Sequence, residues 1–340
     1  MAIRWGIVTA GMISHDFCNA FNSYPKKGDA DAILAAVAAR DKNKADEFAK
    51  LHKIPKVYDS YQALAISDAI DVAYIGVMNL DHYEVAKLFL ENGKHVLCEK
   101  PLCTNFKQAQ SLINLAKKNK LFLMEAVWSR FAPAYYALED VIQSGKLGDI
   151  KYVEANFGTF YFTYLCLTKE KELGGSAFMD FGIYTLQFAQ YIFKEEPKKV
   201  TAIGDLDYEG KDLVDTVVLD YEGGRRAVMN IHANVKLCNR GTVVGTKGLA
   251  TLEDPFHFPT ELIVNGEKSL FPLHESSIAF NYGNSAGLVY EMLEVSRCIK
   301  EGLTESSRMS LKESLIIAKL EDIIRQQIGV HFDDDDKEYP

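Results

Sequence analysis

The chain has 340 residues, 48% hydrophobic and 25% charged, with 38 Lys plus Arg against 47 Asp plus Glu for a net charge of -9. That length suits about two domains, the composition is that of a globular protein, and an acidic balance argues against nucleic acid as a partner. The cysteines are dispersed without a CxxC pair, MAIRWGIV lacks the regions of a signal peptide, and no apolar run approaches the roughly 20 residues of a membrane span, so a reduced, cytoplasmic protein with no membrane attachment is expected.

Apolar runs at Ile3–Thr9, Ala32–Ala39, Val72–Val77, His95–Cys98 and Leu121–Val127 are near-continuous rather than alternating. Such runs mark strands buried on both faces of a parallel sheet. Helical patterns fill the gaps. One starts near Asp81, with Glu84 as its capping-box partner and Val85, Leu88 and Phe89 as its apolar stripe, and stops at Gly93. The alternation predicts an α/β fold, an N-terminal doubly wound Rossmann domain over residues 1–127. After Lys151 the pattern changes. Lys151–Thr159, Val200–Leu206, Asp215–Tyr221, Ala227–Val235 and Gly241–Gly245 read as strands joined by turn signals, with a helix over about Gly175–Phe193 between them. Helices near Leu288–Gly302 and Leu311–Ile328 close the chain, the last with Ser310 and Glu313 as a capping box. Residues 128–332 therefore read as an α+β domain with a large open, mainly antiparallel sheet, for which the resemblance below implies substrate binding and dimerisation. The final helix is a candidate to return to the first domain. Residues 333–340 read as a solvated acidic tail.

The loop Thr9-Ala10-Gly11-Met12-Ile13-Ser14 joins the first strand to the first helix. A dinucleotide fingerprint has glycine at its first, second and last marked positions; here Thr9 and Ser14 replace the outer ones and only Gly11 remains, where the diphosphate must approach. After the second strand comes Arg40, with Lys44 one turn on. An acid there binds a ribose 2′-OH, whereas arginine suits a 2′-phosphate, so NADP is expected over NAD, with Asp41 as the residue that would argue for NAD. Lys100, after His95–Cys98 and before Pro101, stands at a strand's carboxyl end, where ligands bind in such sheets. Asp180 and Tyr184 are four apart and share a helix face. Hydride transfer from an alcohol needs a group to handle the hydroxyl proton. A lysine near Tyr184 would lower its pKa from about 10. The aromatic stretch Thr159–Tyr164 could stack on a ring or pack in the core. The eight histidines show no metal spacing, no metal is expected, and His257 between Phe256 and Phe258 reads as packed.

Arg4-Trp5-Gly6-Ile7-Val8, Ala38-Ala39-Arg40-Asp41, Cys98-Glu99-Lys100-Pro101, the run Phe122–Trp128, Asp180-Phe181-Gly182-Ile183-Tyr184 and Gly245-Thr246-Lys247-Gly248 resemble the glucose-fructose oxidoreductase/inositol dehydrogenase family over residues 2 to 332. The likeness is closest to its dimeric, dihydrodiol- and D-xylose-oxidising branch. It implies Lys100 as active-site lysine, Tyr184 as general acid/base and Asp180 as the carboxylate before it. It implies Thr9, Gly11, Met12, Ile13, Arg40, Lys44, Asn79, His82, Glu99 and Lys100 at the cofactor. Trp128 and Arg130, with Phe160 and Tyr184, would line the substrate cleft. The stretch Val77-Met78-Asn79-Leu80-Asp81-His82 matches the family at Asn79 and His82 but not at the pair before them.

The expected activity is NADP-dependent hydride transfer from a vicinal diol or cyclic sugar, such as a trans-dihydrodiol or a D-xylose-like aldose. Alternatives are an NADPH-dependent reductase of dicarbonyls or anhydro-sugars, and a non-catalytic NADP-binding regulator. The open sheet of the second domain, and the resemblance, imply a homodimer through that face.

Overall fold

The computed structural model describes residues 2–25, 31–160 and 175–340. Strands β1 (Ile3–Val8), β2 (Ala32–Ala38), β3 (Lys56–Tyr58), β4 (Val72–Ile75), β5 (His95–Glu99) and β6 (Leu123–Ala126) form a six-stranded sheet in the order β3-β2-β1-β4-β5-β6. All its pairings are parallel, and this order belongs to doubly wound dinucleotide-binding sheets. Helices α1 (Met12–Ser23), α2 (Lys42–His52), α3 (Tyr61–Ala65), α4 (His82–Glu91) and α5 (Phe106–Asn119) connect the strands. Local chemistry starts them: Asp41 accepts from the amides of Asn43 and Lys44 at the head of α2, and Asn105 accepts from Gln108 at the head of α5. The capping box expected at Asp81 does not form. The Asp81 carboxylate turns instead to Arg40.

The second sheet has eight strands: β7 (Ile150–Gly158), β8 (Lys199–Leu206), β9 (Asp212–Asp220), β10 (Arg226–His232), β11 (Gly241–Gly245), β12 (Gly248–Leu252), β13 (Glu261–Val264) and β14 (Glu267–Leu270). Their order is β14-β13-β12-β11-β7-β10-β9-β8, antiparallel except where β10 runs parallel to β7. Val153, Ala155, Phe157, Ala227, Met229, Ile231, Val217 and Leu219 alternate into the core, as a sheet covered on one face requires. Helix α7 (Ile183–Phe193) and the final helix α9 (Leu311–Ile328) cover that face. Helix α6 (Pro133–Gln143) precedes α7 in the chain, and α8 (Leu288–Lys300) lies between α7 and α9.

Helices α8 and α9 tie the sheets together. α8 packs on α1 and β1, where Trp5 Nε1 donates to Ser296 Oγ at 3.2 Å. α9 lies against both α5 and β8. The residues after it are not a freely solvated acidic run. Arg325 binds Asp335 at 2.8 Å, Lys337 binds Asp334 at 2.7 Å, and Lys107 of α5 binds Glu338 at 2.7 Å. Buried Arg325 gives the acids a partner that composition alone does not reveal. Among the described residues, no helix is long and apolar enough to cross a membrane.

Candidate active site

The carboxyl ends of β1, β2, β4 and β5 open toward the second sheet, and the candidate site is built there. Thr9 turns the chain with φ of +83°, where glycine usually supplies a positive φ. Gly11 caps α1 at φ -88°, a conformation open to any residue. A Cβ on it would meet only Thr9 Cγ2 at 3.7 Å and Gly76 O at 4.0 Å. Neither backbone nor packing among the described residues requires glycine here, and the open space leaves room for a ligand to approach. Helix α1 has no side-chain cap and no acid in its first turn. The amides and positive dipole end around Met12 and Ile13 therefore face an outside acceptor, and the buried Ser14 Oγ lacks a partner. These features fit a dinucleotide diphosphate.

At the end of β2, Arg40 is exposed and its guanidinium donates to Asp81 at 3.1 Å. Asp41, the acid that would favour NAD, spends one oxygen on the α2 amides at 3.0 and 3.2 Å. Lys44 is exposed on the same turn. At the end of β4, Asn79 does not wait for the nicotinamide: its amide donates to Asp180 Oδ1 at 3.0 Å. His82 is buried, with Nδ1 2.7 Å from Pro101 O and Nε2 3.2 Å from Val77 O. Burial lowers its pKa. It fastens the loop after β4 to the loop after β5.

At the end of β5, the Lys100 ammonium donates to the backbone carbonyl of Asp180 and lies 5.0 Å from the centroid of the Tyr184 ring. Asp180 sits in a π-helical turn, Phe178–Gly182, that leads into α7. Such turns often occur at functional sites because they re-aim side chains within a helix. Gly182 is required there, since a Cβ would come within 2.7 Å of the Phe178 ring. Asp180 thus holds Asn79 through its carboxylate and Lys100 through its carbonyl, and joins both first-sheet loops to the second sheet. Beneath Lys100, buried Glu99 accepts from the Tyr74 hydroxyl at 2.6 Å and from the Lys100 amide at 3.3 Å. Burial raises its pKa against the pull of Tyr74 and Lys100.

Trp128, at the end of β6, donates its indole N–H to the Tyr184 oxygen at 3.0 Å. Indole nitrogen is only a donor, so the phenol accepts there and keeps its own proton for another partner. The expected lowering of the Tyr184 pKa by lysine does not occur. Burial and the Glu99 charge push it well above the tyrosine range, and the Trp128 bond offsets only part of this. The lysine is above the ring and bonded elsewhere, not beside the oxygen.

Arg130 lies apart from the cleft, 2% exposed. Its donors go to Gln187 at 3.4 Å, Arg308 O at 3.2 Å and Glu313 at 3.1 Å. It anchors the turn that carries Trp128. Phe160 is 46% exposed beyond the end of β7; the rest of the aromatic stretch, Tyr161 to Tyr164, lies outside the described residues. The wall around Tyr184 comes from segments without a motif. Phe157 is 5.9 Å from it by ring centroids and His257 5.0 Å, while Phe258 stacks on Trp128 at 4.4 Å. Tyr282 comes in on a strap that crosses α1, where Asp16 accepts from the amides of Asn281 and Tyr282 at 2.8 and 2.9 Å. Burial and the charges of Asp16, Glu99 and Asp180 push its phenol up to about 12. Period-two alternation marks Phe157 as inward-facing, but no sequence signal separates its role from packing. No cluster able to hold a metal is present among the described residues.

Residues 3–127 match the oxidoreductase family with an NAD-binding Rossmann fold, and residues 135–251 match the GFO/IDH/MocA C-terminal domain. The chain is 41% identical over 333 residues to trans-1,2-dihydrobenzene-1,2-diol dehydrogenase of Xenopus laevis, covering 98% of this chain and 100% of that protein. The Homo sapiens protein of the same name is 39% identical over 336 residues, covering 98% of this chain and 99% of that one. A levoglucosan dehydrogenase in complex with NADH and levoglucosan superposes with a TM-score of 0.84 at 17% identity, over 97% of this chain and 98% of that one. A 3-ketoreductase from Actinomadura kijaniata in complex with NADP and TDP-benzene gives 0.83 at 21% identity, over 96% and 98%. These last two establish a shared fold.

Proposed function

The chain belongs to the GFO/IDH/MocA oxidoreductase family, and on that premise we propose that it oxidises a carbinol of a vicinal diol or cyclic sugar with NADP. Bound NADP would supply the two-electron hydride acceptor, and Tyr184, as its phenolate, takes the hydroxyl proton. The observation that carries this is the Trp128 bond to the Tyr184 oxygen at 3.0 Å. It fixes the Tyr184 oxygen and leaves a lone pair for the substrate hydroxyl. Lys100 and Asp180 hold Tyr184 and the loop after β5 in register. Thr9, Gly11, Met12 and Ile13 form the diphosphate cradle, and Arg40 with Lys44 takes the 2′-phosphate. Names of the full-length relatives support the diol; the names of the solved neighbours support a sugar. A panel of diols, aldoses and cyclitols with NADP and NAD in parallel tests the reading. Absence of turnover on every member would reject it.

One observation favours the reverse direction. A phenol with a raised pKa is protonated at neutral pH and is poised to donate. In that mode the same residues reduce a dicarbonyl or an anhydro-sugar ketone with NADPH.

We propose further that residues 1–127 and 128–332 act as cofactor and substrate domains and that two copies pair through the outer face of the second sheet. That face carries Tyr152, Val218, Val228 and exposed Ile203, and a ladder in which Thr216 bonds Asn230 at 3.0 Å and Asn230 bonds Asn156 at 2.9 Å. No helix of the described residues covers it. Light scattering that finds a monomer at micromolar concentration would reject the pairing.

A further inference from the structure

We propose that His257 reads a second substrate hydroxyl, apart from the one that Tyr184 deprotonates, and so directs this site to polyhydroxylated rings of the aldopyranose class. The inference rests on Tyr184 as the proton-handling group. His257 stacks on Phe157 at 4.8 Å with ring planes 13° apart, and its centroid is 5.0 Å from that of Tyr184 and 6.0 Å from that of Trp128. Phe157 and Trp128 pack beside it through ring carbon, so the imidazole, with the Tyr282 phenol, brings a polar group to the wall next to Tyr184. Its Nδ1 is buried with no hydrogen-bond partner. The residue is only partly covered, and among the described residues Nε2 has no hydrogen-bond partner and is not fully buried. A nitrogen with no protein partner, set in an aromatic wall, is the kind of group that a bound hydroxyl completes.

The charge state suits this role. Burial and the Lys100 ammonium beside it hold the His257 pKa down to about 3. The ring is therefore neutral in the working range, with one donor and one acceptor nitrogen. A neutral donor–acceptor group recognises a hydroxyl without competing with Lys100 for charge. Aromatic carbon on either side suits the C–H face of a pyranose. When the carbinol oxygen meets the phenol, a neighbouring ring hydroxyl comes opposite the imidazole.

The test uses the NADP holoenzyme with D-xylose, its monodeoxy analogues and cyclohexanol, which has no second hydroxyl. His257→Phe keeps the stack on Phe157 and removes the nitrogens; His257→Asn restores a donor and an acceptor. His257→Phe should lower kcat/KM for D-xylose by about 5- to 100-fold, the range of one lost hydrogen bond. One monodeoxy analogue should start low and lose nothing more, because its missing hydroxyl is the one read. His257→Asn should recover part of the loss, with NADP affinity and thermal midpoint unchanged in both variants. Equal losses on every substrate, or none on any, would overturn the role of His257 while leaving that of Tyr184 standing. A wild-type enzyme inactive on every sugar and diol would instead reject the underlying reading and the inference with it.

Discussion

Cofactor choice turns on a competition at the end of β2. Arg40 is bound to Asp81 at 3.1 Å, with side chains 74% and 46% exposed. A pair this open is worth about 0.2–1 kcal/mol. A charge-assisted hydrogen bond from Arg40 to a 2′-phosphate is worth about 1.5–3 kcal/mol. On these magnitudes a 2′-phosphate bound at Arg40, as proposed, should win the guanidinium from Asp81. Arg40→Ser should cut kcat/KM for NADP by about 10- to 100-fold at 1.4 kcal/mol per decade and leave the value for NAD nearly unchanged. Asp81→Asn should raise kcat/KM for NADP by about 1.5- to 5-fold, since the competing pair is gone. In the Arg40→Ser background the same Asp81 change should do little, because the two residues act through one contact. Steady-state kinetics of the four enzymes with both cofactors supply the cycle. If Arg40→Ser leaves the NADP-to-NAD ratio of kcat/KM where it was, the assignment of the 2′-phosphate to Arg40 is wrong.

Removing the phenol proton with Tyr184→Phe should lower kcat by about 10²- to 10⁴-fold while NADP titration still gives wild-type affinity; full turnover would remove Tyr184 from proton transfer. Because the Tyr184 pKa is raised, its protonated form dominates at neutral pH, so reduction should be flat with pH through the neutral range. Oxidation, which needs the phenolate, should climb as pH rises, and a pH profile of opposite slope would reject the assignment. Arg130→Ala should destabilise the protein by about 3 kcal/mol, because it strands the carboxylate of a mostly buried pair; a selective rise in substrate KM with an unchanged thermal midpoint would restore Arg130 to the cleft. Gly11→Ala should change stability by less than about 1 kcal/mol, since its φ is ordinary and its Cβ has room, yet raise the cofactor KM; an unchanged KM would mean that the diphosphate does not approach there.

The parallel sheet was legible because strands buried on both faces are written as unbroken apolar runs, and five of its six strands stand out that way. β3 escapes notice because it has three residues, none of them buried. β12, β13 and β14 escape for a different reason. They extend the second sheet at its edge: β14 is exposed along its whole length, so burial leaves no period there, and β12 and β13 alternate over only five and four residues. The tail was misread because an acidic run looks solvated unless its cation is visible, and Arg325, the partner of Asp335, looks in sequence like one more charge on an amphipathic helix.

The site divides along the same physical line. Candidate residues at strand ends are legible because topology fixes their position: Gly11 after β1, Arg40 after β2 and Lys100 after β5, whereas Trp128 after β6 is marked only by the family resemblance. Even the rivalry between Arg40 and Asp41 was open to local reasoning, since an aspartate directly before a helix is an N-cap by preference, and the structure has it capping α2. What no local rule yields is which side chains meet across the two sheets. Asn79 and Asp180 are 101 residues apart in the chain and 3.0 Å apart in space, and the pKa of Tyr184 depends on Glu99 beneath the opposite domain. His257 illustrates the limit most plainly. Flanked by Phe256 and Phe258, it reads as a packed residue, and by stacking on Phe157 it is one. Its packing partners hold it against Tyr184 with a nitrogen unspent. A residue type common in cores becomes a recognition group only through the neighbour that the fold supplies.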